Sequence, residues 1–134
     1  MIETYSKGVA AGTNQPINLN NVKLLKGSSV VKQGSSSLLF NKCGIYRVDV
    51  VASGIASEAG NIVIQLQKNG VLDPAAISTA TAANTTSNIP MGFTTFVQVP
   101  RNNTECPCSE STVVDIINTG VDATFDIDVT VSKI

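Results

Sequence analysis

The chain has 134 residues, enough for one domain with a core of its own, and its nine basic and ten acidic residues come with no histidine. The missing imidazole excludes Ser–His–Asp and Cys–His nucleophilic chemistry, and the scattered single lysines and arginines exclude the basic, aromatic-interleaved stripe of a nucleic-acid or anionic-membrane binder. Only 14% of the residues are charged against 43% hydrophobic, so Ser, Thr, Asn and Gly must supply the polar surface and part of the outside is expected to be an oligomer interface.

In chain order, residues 1–16 read as a small, polar, Gly/Ala-rich N-terminal arm closing on Pro16, with "MIETYSKGVAAG" lacking the basic and apolar regions of an export signal. Residues 17–134 read as one domain. "INLNNVKLL" opens strand-like material, and Gly27 and Gly34 punctuate two short apolar pieces in "GSSVVKQGSSSLLF". "GIYRVDVVA" is a strand, with Tyr46, Val48, Val50 and Ala52 on one face and Arg47 and Asp49 on the other. "SGIASEAG" reads as a loop. In "NIVIQLQKNG" Ile62, Ile64 and Leu66 alternate against Gln65 and Gln67, and Asn69 and Gly70 follow, the pair favoured where both turn positions need positive φ.

Residues 73–89 read as a weak strand inside a long loop, "MGFTTFVQVP" as a strand stopped by Pro100, and "RNNTECPCSES" as a polar loop. "STVVDIINTG" and "ATFDIDVTVSKI" close the chain as two strands. In the last, Phe125, Ile127, Val129 and Val131 share a face opposite Asp126, Asp128, Thr130 and Ser132. No stretch sustains helical period for three turns. Short strands every ten residues or so predict an all-β sandwich or barrel.

Chemically reactive constellations are scarce. The odd cysteine count, Cys43, Cys106 and Cys108, reads as structural or incidental thiols, with a Cys43 disulfide to one of the pair and a metal site as the alternatives. Asp115, Asp126 and Asp128 recur at strand spacing, and the last two would lie roughly 7 Å apart on one sheet face. A calcium or glycosidase-type carboxylate pair is one reading and a solvated strand face the preferred one. "GSSVVKQGSSS" lacks the ending of a phosphate loop, and the sequons at Asn84 and Asn102 carry meaning only in a secreted chain. No cofactor or metal is expected, and the chain reads as a non-enzyme that works through what it binds.

The segment "GIYRVDVVASGIASEAGNIVIQLQKNGV", with "VQVPRN", "VVDIINTG" and the hydrophobic C-terminal strand behind it, resembles the trimeric jelly-roll superfamily of tumour-necrosis-factor-like and complement-globular-head-like domains. The likeness is to its bacterial and viral branch, which includes the C-terminal domain of the collagen-like glycoproteins of spore surfaces, and it covers about residues 36–134. It implies a ten-stranded, two-sheet jelly-roll sandwich forming a homotrimer, with the C-terminal strand near the threefold axis. Gly44 and Tyr46 then match the family's Gly-x-aromatic motif, and Asn69 and Gly70 its turn, as structural positions.

The expected function is that of a structural virion protein, a homotrimeric capsid decoration or head-fibre protein of a tailed bacteriophage that docks on a major capsid protein through the arm of residues 1–16. A receptor- or carbohydrate-binding fibre-tip domain and a bacterial spore- or cell-surface domain are the alternatives. Loops 53–60 and 100–111, where a fibre tip would recognise its ligand, contain no aromatic residue for a sugar face. "VVDII" is apolar on both faces, so a neighbouring subunit is expected to cover one of them. The expected trimer-interface residues are Val113, Ile117, Phe125, Ile127, Val129 and Val131.

Overall fold

A computed structural model describes residues 1–100 and 112–134. Among them every regular element is a strand: β1 (Ile2–Ala11), β2 (Gln15–Pro16), β3 (Asn21–Leu25), β4 (Val30–Gln33), β5 (Ser37–Phe40), β6 (Gly44–Ala56), β7 (Gly60–Lys68), β8 (Val71–Ala82), β9 (Ile89–Val99), β10 (Thr112–Asn118) and β11 (Ala123–Lys133). Among the described residues no helix is long and apolar enough to cross a membrane. The strands form two antiparallel sheets, a five-stranded one in the order β3-β1-β11-β6-β9 and a second in the order β4-β5-β10-β7-β8, with the two-residue β2 added beside β10.

The core lies between the sheets and follows from period-two alternation. Phe125, Ile127, Val129 and Val131 of β11 and Tyr46, Val48, Val50 and Ala52 of β6 face Ile62, Ile64 and Leu66 of β7 and Val114 and Ile116 of β10, all buried. Tyr46 is the largest of these. Its ring tilts against Phe40 at a centroid distance of 4.7 Å, and its hydroxyl donates to the Lys42 carbonyl at 2.6 Å. Desolvation by burial pushes its phenol pKa above the ordinary value. Asn69 (φ 50°) and Gly70 (φ 82°) turn β7 into β8, and the Asn69 Oδ1 accepts the Val113 N–H at 2.8 Å, so the turn also positions the start of β10.

The structure corrects the expectation of a free N-terminal arm. Residues 2–11 are β1, paired with β11 on one side and β3 on the other, with Ile2, Thr4, Ser6, Val9 and Ala11 turned inward. The buried Asn118 amide donates to the Ala11 and Val121 carbonyls at 2.9 Å each and ties down the end of the strand. Alternation was hidden because two inward residues, Thr4 and Ser6, are polar and the register shifts between Ser6 and Val9.

Two further elements differ from the expectation. Ser53–Ala56, read as loop, continues β6 opposite Ala123–Asp126, and Gly54 belongs in that strand because a Cβ there would sit 3.1 Å from the Phe125 ring. Residues 71–82 form a full strand, not a weak one, whose inward positions are small: Ala76 and Ala82 are buried, so the hydrophobic contrast is low. Pro74 falls where β8 slips register against β7, a place that needs no ladder donor.

Cys43 is disulfide-bonded, which favours the alternative over the preferred reading of structural or incidental thiols. Cys106 and Cys108, and most of the loop at 100–111 with the Asn102 sequon, lie outside the described residues.

Candidate functional site: a groove on the five-stranded sheet

Two irregularities in β1 and β3 shape the outer face of the five-stranded sheet. Glu3 pairs with Leu24 and Thr4 with Val22, which leaves Lys23 as an extra residue, a β-bulge that turns its side chain back over the sheet. Lys23 Nζ lies 3.7 Å from Glu3 Oε2 as a result. Further along, Lys7 and Gly8 bulge out between the Ser6–Ile127 and Val9–Phe125 pairs. Gly8 takes φ +64°, a left-handed conformation that glycine adopts without penalty, and its N–H donates to Asp126 Oδ1 at 2.7 Å.

Tyr5 sits between the two bulges. Across the sheet it pairs with Asp128, Asp128 with Val51, and Val51 with Gly92. Gly92 adds no side chain to this row, and a Cβ there would come within 2.4 Å of the Val50 carbonyl oxygen. The result is a groove of about 600 Å³ lined by Tyr5, Lys7, Lys23, Val51, Asp126 and Asp128. It holds carboxylates, ammonium groups and one phenol together.

The groove's electrostatics centre on a carboxyl pair. Burial raises the Asp128 pKa from 3.8 to about 6, helped by a hydrogen bond to Glu3 and by the Glu3 charge, while Thr130 and Lys23 act the other way. Two carboxyls in hydrogen-bonding contact hold a proton more tightly than either would alone. Asp126, one turn of the pleat away, is bound by the Gly8 N–H instead. Asp115 lies on the other sheet, where Ser36 and Ser37 hydroxyls donate to it at 3.3 and 2.7 Å.

The same sheet face changes character at its other end. Ile45, Phe96 and Ile134 are exposed there, Phe96 at 61% and Ile134 at 73%, and the Ile134 N–H donates to the Ile45 carbonyl at 2.9 Å. A second apolar group lies on the edge strand β8, where Val71 is 70% exposed and Leu72 and Ile77 are also exposed.

These positions differ from the expected interface set. Phe125, Ile127, Val129 and Val131 fill the protomer's own core, and Ile117, although on the outer face of its sheet, is buried as well. Only Val113 is half-buried on an outer face. One inward face per strand cannot serve both the sandwich and a neighbour. Gly44 and Tyr46 occupy the start of β6, and Asn69 and Gly70 the β7–β8 turn, all structural places. Sequence reasoning missed Glu3, Tyr5, Lys7 and Lys23 altogether. Tyr5, an aromatic residue two positions from Glu3, was the available signal.

No protein-family model matches this chain, and no curated protein matches it. Solved structures do. Murine APRIL at pH 8.5 superposes with a TM-score of 0.58 at 11% identity, covering 96% of this chain and 98% of that one. Its structure at pH 8.0 gives 0.55 at 10% identity, with 96% of each chain covered. The fold is a jelly roll. At such identities the likeness is one of architecture alone. The CBM35 module of Cellvibrio japonicus Abf62 also aligns, at a TM-score of 0.45 and 13% identity over 99% of this chain and 96% of that one.

Proposed function

We propose that this jelly roll is a non-enzymatic structural module that assembles into a homotrimer through the end of its five-stranded sheet's outer face that carries Ile45, Phe96 and Ile134. The observation that carries the reading is the exposure of Ile45, Phe96 and Ile134 together on one sheet face. A second, separate apolar group on β8 supports a head-to-tail contact, face of one copy against edge of the next. An isologous dimer needs one self-complementary patch, whereas two different patches fit a closed ring. The resemblance to the trimeric jelly-roll superfamily supports three as the number. An obligate contact of this kind commonly buries above about 2,000 Å².

The narrower reading is a virion component, a capsid decoration or head-fibre protein docking on a major capsid protein. It is supported by the sequence resemblance to the viral branch. With residues 2–11 built into the sheet, this reading assigns docking to the jelly-roll body.

Light scattering is expected to give the mass of three chains at micromolar concentration. Phe96→Glu and Ile45→Glu, each placing a charge in the apolar contact, are expected to yield folded monomers. A monomeric parent protein removes the reading. Co-sedimentation of the trimer with capsids stripped of their surface proteins tests the virion assignment, and no co-sedimentation rejects it.

A further inference from the structure

We propose that the groove between the two bulges of β1 is a saccharide-binding site for a short, hydroxyl-rich ligand such as a mono- or disaccharide. Tyr5 is the platform for a ring face, Asp126 accepts from ring hydroxyls, and Lys7 and Lys23 donate to ring oxygens. This site is separate from the apolar end of the same sheet, so it does not depend on the trimer.

Its size comes first. About 600 Å³ lies inside the roughly 300–1,000 Å³ range of small-ligand sites. The lining then selects the chemistry. Lys7, Lys23, Asp126 and Asp128 all line the groove, so a ligand carrying either sign of charge meets like charge as well as opposite charge. A hydroxyl group both donates and accepts. It can therefore satisfy a carboxylate and an ammonium at once, and a ring bearing several can engage both walls.

The groups are also available. The Tyr5 hydroxyl and the Lys7 ammonium make no hydrogen bond among the described residues, and Asp126 uses only Oδ1, toward Gly8. Asp126 is therefore held in orientation by a backbone donor while Oδ2 is left for a ligand. Tyr5 offers the combination of apolar ring and polar tip that suits a surface apolar on its C–H side and polar at its edge. The expected loops carry no such aromatic, and β1 brings one to the sheet face instead. Bulges next to binding sites commonly re-aim a side chain, as Lys23 is re-aimed here.

The test is an array of mono- and disaccharides bearing hexose, N-acetylhexosamine and uronic acid rings, followed by titration of any hit by amide chemical-shift perturbation. At least one saccharide is expected to bind and to perturb Tyr5, Asp126 and Asp128. Tyr5→Ala and Asp126→Asn are each expected to weaken that binding by about tenfold or more, the scale of a lost charged hydrogen bond or ring contact. Tyr5→Phe, which keeps the ring, is expected to retain most of it. Phe96→Ser, at the far end of the face, is expected to leave binding unchanged while altering the mass in light scattering, which separates this site from the assembly reading. No retained saccharide, binding indifferent to both groove variants with their folds intact, or binding of spermidine in place of any sugar would overturn the proposal.

Discussion

Gly8 donates its backbone N–H to Asp126 Oδ1 across 2.7 Å, joining a bulge in β1 to a carboxylate on β11. The contact exists because Gly8 stands at φ +64°, which turns its N–H out of the ladder and over the sheet face. One backbone dihedral thus orients one wall of the groove.

Gly8→Val is expected to lower stability by about 1–2 kcal/mol, the usual cost of a left-handed conformation for a residue bearing a Cβ. A Cβ there meets nothing within 4 Å, so the penalty is conformational and not steric crowding. Gly8→Asn is expected to cost less, since Asn tolerates this region. Urea unfolding of the three proteins checks the order.

Asp128 predicts a pH dependence with a definite sign. Its folded pKa is raised from 3.8 to about 6, so between those values the folded protein keeps a proton the unfolded chain has released. This carboxyl therefore favours the fold most below about pH 4, and the advantage is lost as pH rises through about 6. Asp128→Asn, which can still donate to Glu3, is expected to raise the melting temperature at pH 7.5 and to leave it nearly unchanged at pH 4. Thermal scans of both proteins across that range measure it.

Tyr46→Phe removes the hydroxyl that donates to Lys42 O at 2.6 Å and is expected to cost about 1 kcal/mol. Phe40→Ala, which empties the partner side of the ring contact, is expected to cost about 3–5 kcal/mol. Denaturant midpoints at constant m-value distinguish the two losses from a change in the unfolded state.

The Cys43 disulfide predicts redox-sensitive stability. Cys43 and the chain's other two cysteines are separated by roughly 65 residues, and in the chain-entropy model a loop of that size is worth about 4 kcal/mol. Unfolding in the presence and absence of dithiothreitol is expected to show a loss of up to that amount, and Cys43→Ser is expected to match the reduced protein.

The sequence by itself determined the class, the absence of imidazole chemistry and most strands, because alternation in β6, β7 and β11 sets large apolar residues against Asp, Arg, Gln and Thr. It also marked Asn69 and Gly70, whose turn chemistry is local. What it concealed is equally physical. β1 turns Thr4 and Ser6 inward, β8 turns Ala76 and Ala82 inward, and neither offers the contrast on which period-two reading depends. Only the tertiary structure decided which face of each strand is enclosed. Alternation distinguishes two sides without saying what covers either, so Phe125, Ile127, Val129 and Val131 could read as an interface until the second sheet was seen lying over them. The groove was decided later still, since its residues come from β1, β3, β6 and β11 and meet only after two register shifts that no stretch of sequence announces.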